Sequence, residues 1–188
     1  MRRIAVAVLL MAAGCRGEPV ILVPQQDLPK DVYASPVSDA PAAPDAAIPE
    51  RGVVYVVQEG RLVAVTRPLS KAAPSLPAAL LLALFQPATQ GEKGHSVIPT
   101  GTTLNRVALV GSVATVDVSP PFETGGPERS LKLRVAQVVY TLTEPETGIS
   151  AVAFLIDGEA RGVTAEEGQP LTGPVTRANY NRFAPRPG

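Results

Sequence analysis

Residues 53–67 read VVYVVQEGRLVAVTR, and this stretch decides the fold. Its two halves, 53–58 and 61–67, are rich in β-branched residues and meet at Glu59-Gly60, the pattern of a β-hairpin closed by a two-residue turn. Immediately downstream the character changes. Ser75 is a helix N-cap, Pro77 lies in the first turn, and the apolar run that follows stops at Pro87. Apolar residues surround that helix, so it belongs in the centre of a core and not on a surface.

The same grammar repeats twice. Residues 91–102 are a loop by composition, after which LNRVALV and VATVDVS alternate about Gly111-Ser112, a Gly-first turn of type II′. After Pro127, Leu131, Val135, Val138, Val139 and Leu142 recur at three- and four-residue spacing, and Glu128 can pair with Lys132 on the outer face of the helix they define. Glu144-Pro145 and Gly148 end it. SAVAFLI and EARGV then turn at Asp157-Gly158. The predicted order is hairpin, helix, hairpin, helix, hairpin. It specifies an α+β fold, a mixed or antiparallel sheet of hairpins with two helices packed on one face. Val54, Val56, Leu80, Leu84, Val116, Val135, Val139 and Phe154 fall on the apolar faces and form the predicted core.

Upstream of the hairpin the chain is of another kind. Residues 1–14 carry Arg2 and Arg3, then IAVAVLLMAA, the layout of a signal peptide whose apolar run is too short to span a bilayer. AAGC at 12–15 resembles a bacterial lipobox, with Ala12 where most such boxes have Leu; Cys15 is then the lipidation site. An ordinary secretory leader is the competing reading. Cys15 is the single Cys of the chain, which favours the lipid, since no internal disulfide is available to it. Residues 15–50 form a Pro/Ala-rich tether with seven prolines between Arg16 and Glu50. As polyproline II those residues reach roughly 110 Å at most. Residues 51–183 are the folded domain and 184–188 a tail.

Composition excludes several functions. Removing Arg2 and Arg3 with a leader leaves 15 basic against 17 acidic residues, a net of about −2, so nucleic acid is not an expected partner. The one histidine, His95, sits beside Ser96 in a Gly-flanked loop, GEKGHSVIP, where a solvent-exposed or backbone-bonded side chain outranks a catalytic base. No metal-ligand pattern and no phosphate-cradling glycine motif occurs, and no cofactor is expected. Three residues remain for a possible interaction face. Asp117 is the one acid in an apolar strand; it shares a strand face with Thr115 and reads either as a polar, solvent-facing or loop-capping residue or as a binding group. Arg67 and Arg177 are either residues of a surface or inter-strand salt link or arginines of an interaction face.

Six stretches in fixed order resemble the GerMN domain family, the GerM-like sporulation and spore germination domain. They are YVVQEGRLVAVTRPL at 55–69, IPTGTTLNRV at 98–107, VATVDVSPPF at 113–122, AQVVYTLTE at 136–144, VAFLIDGE at 152–159 and LTGPVTRANY at 171–180. The chain departs from the family at Gln86-Pro87, where many members have Gly-Pro. The resemblance implies a fold like the ring-building modules of sporulation and secretion machinery, no catalytic residues, and a role in envelope assembly. The resulting expectation is a non-enzymatic lipoprotein on the extracytoplasmic face of the cell membrane. It is held by membrane lipid at Cys15 and meets an envelope protein partner. An envelope sensor binding a small molecule or wall polymer is the alternative, and a hydrolase using His95 ranks third.

Overall fold

A computed structural model describes residues 47–125 and 127–186. The leader, Cys15 and nearly all of the tether lie outside the described residues. The first hairpin comprises β1 (Arg51–Gln58) and β2 (Arg61–Pro68), paired antiparallel from Gln58↔Arg61 to Arg51↔Pro68. Its turn residues Glu59 and Gly60 both have positive φ, 51° and 75°, as a type I′ turn requires. That geometry follows the right-handed twist of the strands, and the Gly at its second position carries no steric penalty for it.

Ser75 caps α1 (Leu76–Phe85), its Oγ accepting from the Ala78 amide at 3.4 Å. Seven of the ten α1 residues are buried, which matches an apolar surface running right round the helix. β3 (Leu104–Val110) and β4 (Val113–Val118) form the second hairpin, with Gly111 at φ 58°. Along β4, Ala114, Val116 and Val118 are buried while Thr115 and Asp117 on the opposite face are half-buried. A 3-10 turn at Pro120–Phe122 leads to α2 (Glu128–Leu142), where Lys132 pairs with Glu128 at 2.9 Å across one helical turn.

From α2 the chain returns through a second 3-10 turn, Pro145–Thr147, into β5 (Ala151–Ile156), which lies parallel to β4 from Val113↔Ala151 to Val118↔Ile156. Parallel neighbours need a long crossover, and α2 provides it. β6 (Glu159–Arg161) folds back on β5 to complete a mixed sheet in the order β3-β4-β5-β6. β7 (Val163–Thr164) and β8 (Pro170–Leu171) make a short ribbon, and a kinked 3-10 segment, Arg177–Phe183, closes the domain. The first hairpin remains a two-stranded sheet of its own. Both helices pack on each other and on β1; α1 also reaches β3, and α2 reaches β5.

The architecture is α+β, with one core. All eight predicted core residues are in it, Val54, Val56, Leu84, Val116 and Val139 with no exposed surface. Phe122 stacks on Phe154 at 5.9 Å between ring centres. The C-terminal segment belongs to the same core: Val175 and Val152 exchange two backbone hydrogen bonds of 2.8 Å, and buried Tyr180 donates its hydroxyl to Thr164 O at 3.0 Å. Among the described residues no helix is long and apolar enough to cross a membrane.

Candidate functional site

A sheet edge is where a strand can still bond to another chain, and the two hairpins treat their edges differently. In a two-residue hairpin the residues flanking the turn are a hydrogen-bonded pair, and the ladder alternates from there. In β1, Gln58, Val56 and Val54 therefore bond to β2, while Val57 and Tyr55 turn their backbone groups outward. All four of those outward groups are satisfied. His95 exchanges hydrogen bonds of 2.8 and 2.9 Å with Val57, Thr141 Oγ1 accepts from the Tyr55 amide at 3.0 Å, and Gln137 Nε2 donates to Tyr55 O at 2.9 Å. Gln137 and Thr141 are four residues apart on α2 and fully buried, so one helix face closes the edge.

The same rule applied to β3 makes Val110 and Ala108 bond to β4 and leaves Val107 and Leu109 facing outward. Among the described residues nothing bonds to the outward amides and carbonyls of Val107 and Leu109. Leu109 is 51% exposed and Val110 74%, two of the three large apolar residues that stand out from the surface among the described residues. A register shift between Leu104 and Arg106 interrupts the strand at its other end. The opposite edge of this sheet is blunted, because β6 has three residues and two of them are charged, Glu159 and Arg161, paired at 3.4 Å. Val107–Val110 is thus one available edge; the outer side of β2, whose strand partner is β1 alone, is a second, and the exposed Leu109 and Val110 distinguish the β3 edge from it.

Arg67 lies inside the domain, with a 3% exposed side chain that holds the end of α1 together. Its Nη1 donates to Gln86 O at 2.8 Å and to Ala83 O at 2.6 Å, the latter carbonyl also accepting from the Gln86 amide at 3.3 Å. Its Nε and Nη2 grip both oxygens of Glu92 at 3.1 and 2.5 Å. Burial alone would push the Glu92 carboxyl up; the Arg67 hydrogen bonds and charge prevail and hold it below the ordinary carboxylate range. Arg67 therefore takes the salt-linked structural place and not one on an interaction face. Asp117 caps a loop: Oδ1 accepts from the Gly158 amide at 3.1 Å, steadying the β5–β6 turn.

Arg177 sits at the end of α2, one third exposed. Nε donates to Thr143 Oγ1 at 2.9 Å, and Nη2 donates to Tyr140 O at 2.8 Å and meets Glu144 Oε1 at 2.5 Å. The guanidinium lies over the rings of Tyr140 and Tyr55, 4.8 and 5.3 Å from their centres. Tyr55 donates its hydroxyl to Glu144 at 2.6 Å; burial first and that acceptor second push its ionisation up to about 12. The three residues singled out from the sequence are thus not brought together: each serves a separate piece of local order. His95 is exposed and acts through its backbone on β1, and Ser96 Oγ accepts from the Ile98 amide at 3.3 Å.

Two residues that matter were missed. Gln137 closes the β1 edge and, through Oε1, accepts from the Val97 amide at 2.9 Å. Arg134, buried among Val97 O, Phe122 O, Thr124 O and Gly125 O at 2.6–3.1 Å, ties two loops to α2 with backbone carbonyls alone, and burial lowers its pKa. Arg134, three positions from Leu131, borders the apolar stripe of the predicted helix, whereas Gln137, two positions from both Val135 and Val139, falls off that stripe, and the periodicity gave no signal for it.

Comparison with known proteins adds the following. Residues 44–162 match the family model Germane, described as sporulation and spore germination. The first GerMN domain of the sporulation protein GerM from Bacillus subtilis superposes with a TM-score of 0.54 at 24% identity, covering 68% of this chain and 98% of that one. The tandem GerMN domains of the same protein give 0.53 at 23% identity, over 68% of this chain and 46% of that one. The chain therefore spans about half the length of the tandem structure. At these identities the likeness is one of fold. No curated protein matches the chain.

Proposed function

This chain belongs to the Germane family of sporulation and spore germination domains, and from that premise we propose that it is a lipid-anchored extracytoplasmic module for envelope assembly, non-catalytic, acting by recognition. The observation that carries the reading is the open edge at Val107–Val110 together with its exposed apolar pair, Leu109 and Val110. A strand partner entering there gains main-chain hydrogen bonds to Val107 and Leu109, and apolar contact with Leu109 and Val110. The leader and AAGC at 12–15 support the anchor, and the tether gives the domain reach from the bilayer. Recognition is favoured over turnover because His95 meets β1 through its backbone alone and Ser96 Oγ is bonded to the Ile98 amide within its own loop, so the two do not form a hydrogen-bonded base and nucleophile.

Val107→Pro tests this directly. The Val107 amide faces outward, so proline there removes a donor from the free edge and none from the β3–β4 ladder. A photocrosslinker at Leu109 in intact cells should link the protein to one envelope protein, and Val107→Pro and Leu109→Lys should each abolish both the link and complementation of a deletion. Cys15→Ala should move the protein out of the membrane fraction. If Val107→Pro complements fully and the link persists, β3 is not the contact.

A further inference from the structure

A cleft of about 580 Å³ lies where four separated segments meet: the β1–β2 turn, the start of α2, the β7–β8 turn and the final 3-10 segment. That volume suits a small ligand, for which roughly 300–1,000 Å³ is usual. Its charges are unevenly spent. Lys132 is neutralised by Glu128 at 2.9 Å, and the Glu166 carboxylate is occupied by the Arg182 amide. This leaves Arg61, Arg129 and Arg182 against two carboxylates, Glu59 and Glu166, since an amide contact does not cancel the Glu166 charge, and the lining carries a net charge of +1. Among the described residues none of the three is in a salt bridge, and Arg61 makes only a 3.5 Å contact with Ala184 O. Arg129 lies so close over Gly60 that a Cβ there would be 2.8 Å from its Nη2. The absent side chain at Gly60 is what lets the guanidinium lean over the turn.

We propose that this cleft binds a phosphate ester, with Arg129 and Arg182 as the gripping residues and Arg61 at the rim. Planar guanidinium forks match the oxygens of a phosphate group two at a time, and the net single positive charge of the lining matches the single negative charge of a phosphodiester. Buried Phe183 lines the same cleft and offers an apolar surface for the carbon part of the ester. The site uses no residue of the β3 edge, so the two readings stand or fall separately.

The test uses the full 188-residue chain and two probes, a soluble glycerol phosphate polymer and vesicles of phosphatidylglycerol in phosphatidylcholine, with phosphatidylcholine alone as reference. The double variant Arg129→Gln/Arg182→Gln should weaken binding by about tenfold or more, since two charge-assisted contacts are lost. Arg129→Lys, which keeps charge and loses the fork, should fall between. Lys93→Gln, an exposed lysine elsewhere, should change nothing. Loss confined to the polymer identifies a soluble phosphate ester, and loss confined to the phosphatidylglycerol vesicles identifies a lipid headgroup. Any vesicle binding by the leader is common to all variants and cancels. Equal binding by the double variant and the unsubstituted chain in both arms, or binding in neither, overturns the proposal.

Discussion

Gln137→Leu should destabilise the domain through the edge it closes. Leucine nearly fills the volume of glutamine, so packing changes little, but two polar groups lose their partners: Tyr55 O, buried, and the Val97 amide, half-buried, each bonded to Gln137 at 2.9 Å. An unsatisfied buried group costs about 1–3 kcal/mol. Water reaches the Val97 side more easily, so the pair is worth about 2–4 kcal/mol in all, a large part of the roughly 5–15 kcal/mol that holds a domain together. Urea denaturation of the variant and the parent chain measures the difference. Amide hydrogen exchange supplies a second reading that a general loss of packing would not reproduce, because protection at Val97 should fall further than at Val116 in the sheet. A loss below about 1 kcal/mol, with Val97 as protected as before, would refute the assignment.

Leu84→Ala should cost on the order of 2–5 kcal/mol in chemical denaturation, because Leu84 is fully enclosed in α1; a loss below about 1 kcal/mol would contradict a central helix. Glu92 ionises below its unfolded value of 4.5, so its contribution to stability is complete above that value and fades as pH falls through the depressed folded one. Glu92→Gln should therefore flatten the acid limb of the stability curve below about pH 4.5, and an unchanged limb would dismiss the Arg67 pairing as its cause. Tyr55 should titrate near 12 by ultraviolet difference spectroscopy, and Glu144→Gln should bring that value down; no movement would leave burial as the sole cause.

Local pattern carried the reading of the elements. Glu59-Gly60, Gly111-Ser112 and Asp157-Gly158 punctuate runs whose alternation is a two-residue affair, and Ser75, Pro77 and Pro87 bracket α1 by rules that act within one turn of chain. What was hidden depends on partners far away in sequence. Whether Arg67 faces solvent or α1 is settled by where Ala83, Gln86 and Glu92 come to lie, and nothing within its own strand records that. The parallel alignment of β4 with β5 is equally unwritten in either strand, since both are apolar runs compatible with either direction. Arg134 did border the apolar face of α2, but a polar residue there names a need for a partner without naming it, and Gln137 lay off that face, where its burial is set by elements distant in sequence. The open edge of β3 was readable only once the strand pairings were in place, since nothing within β3 says that its other side stays unpartnered.

The crossover through α2 also orders how the chain assembles. Each hairpin closes across two residues, a matter of microseconds, whereas Val113 meets Ala151 only after the intervening helix has formed and docked. Until then β4 has one neighbour, and its second edge is as bare as that of β3 remains in the finished domain. A chain in that interval carries two adhesive edges on one hairpin, a doorway for self-association that closes when β5 arrives. Speed of α2 docking is therefore a solubility trait of this protein as well as a folding one, and substitutions that slow the helix without weakening the final fold should show up first as aggregation.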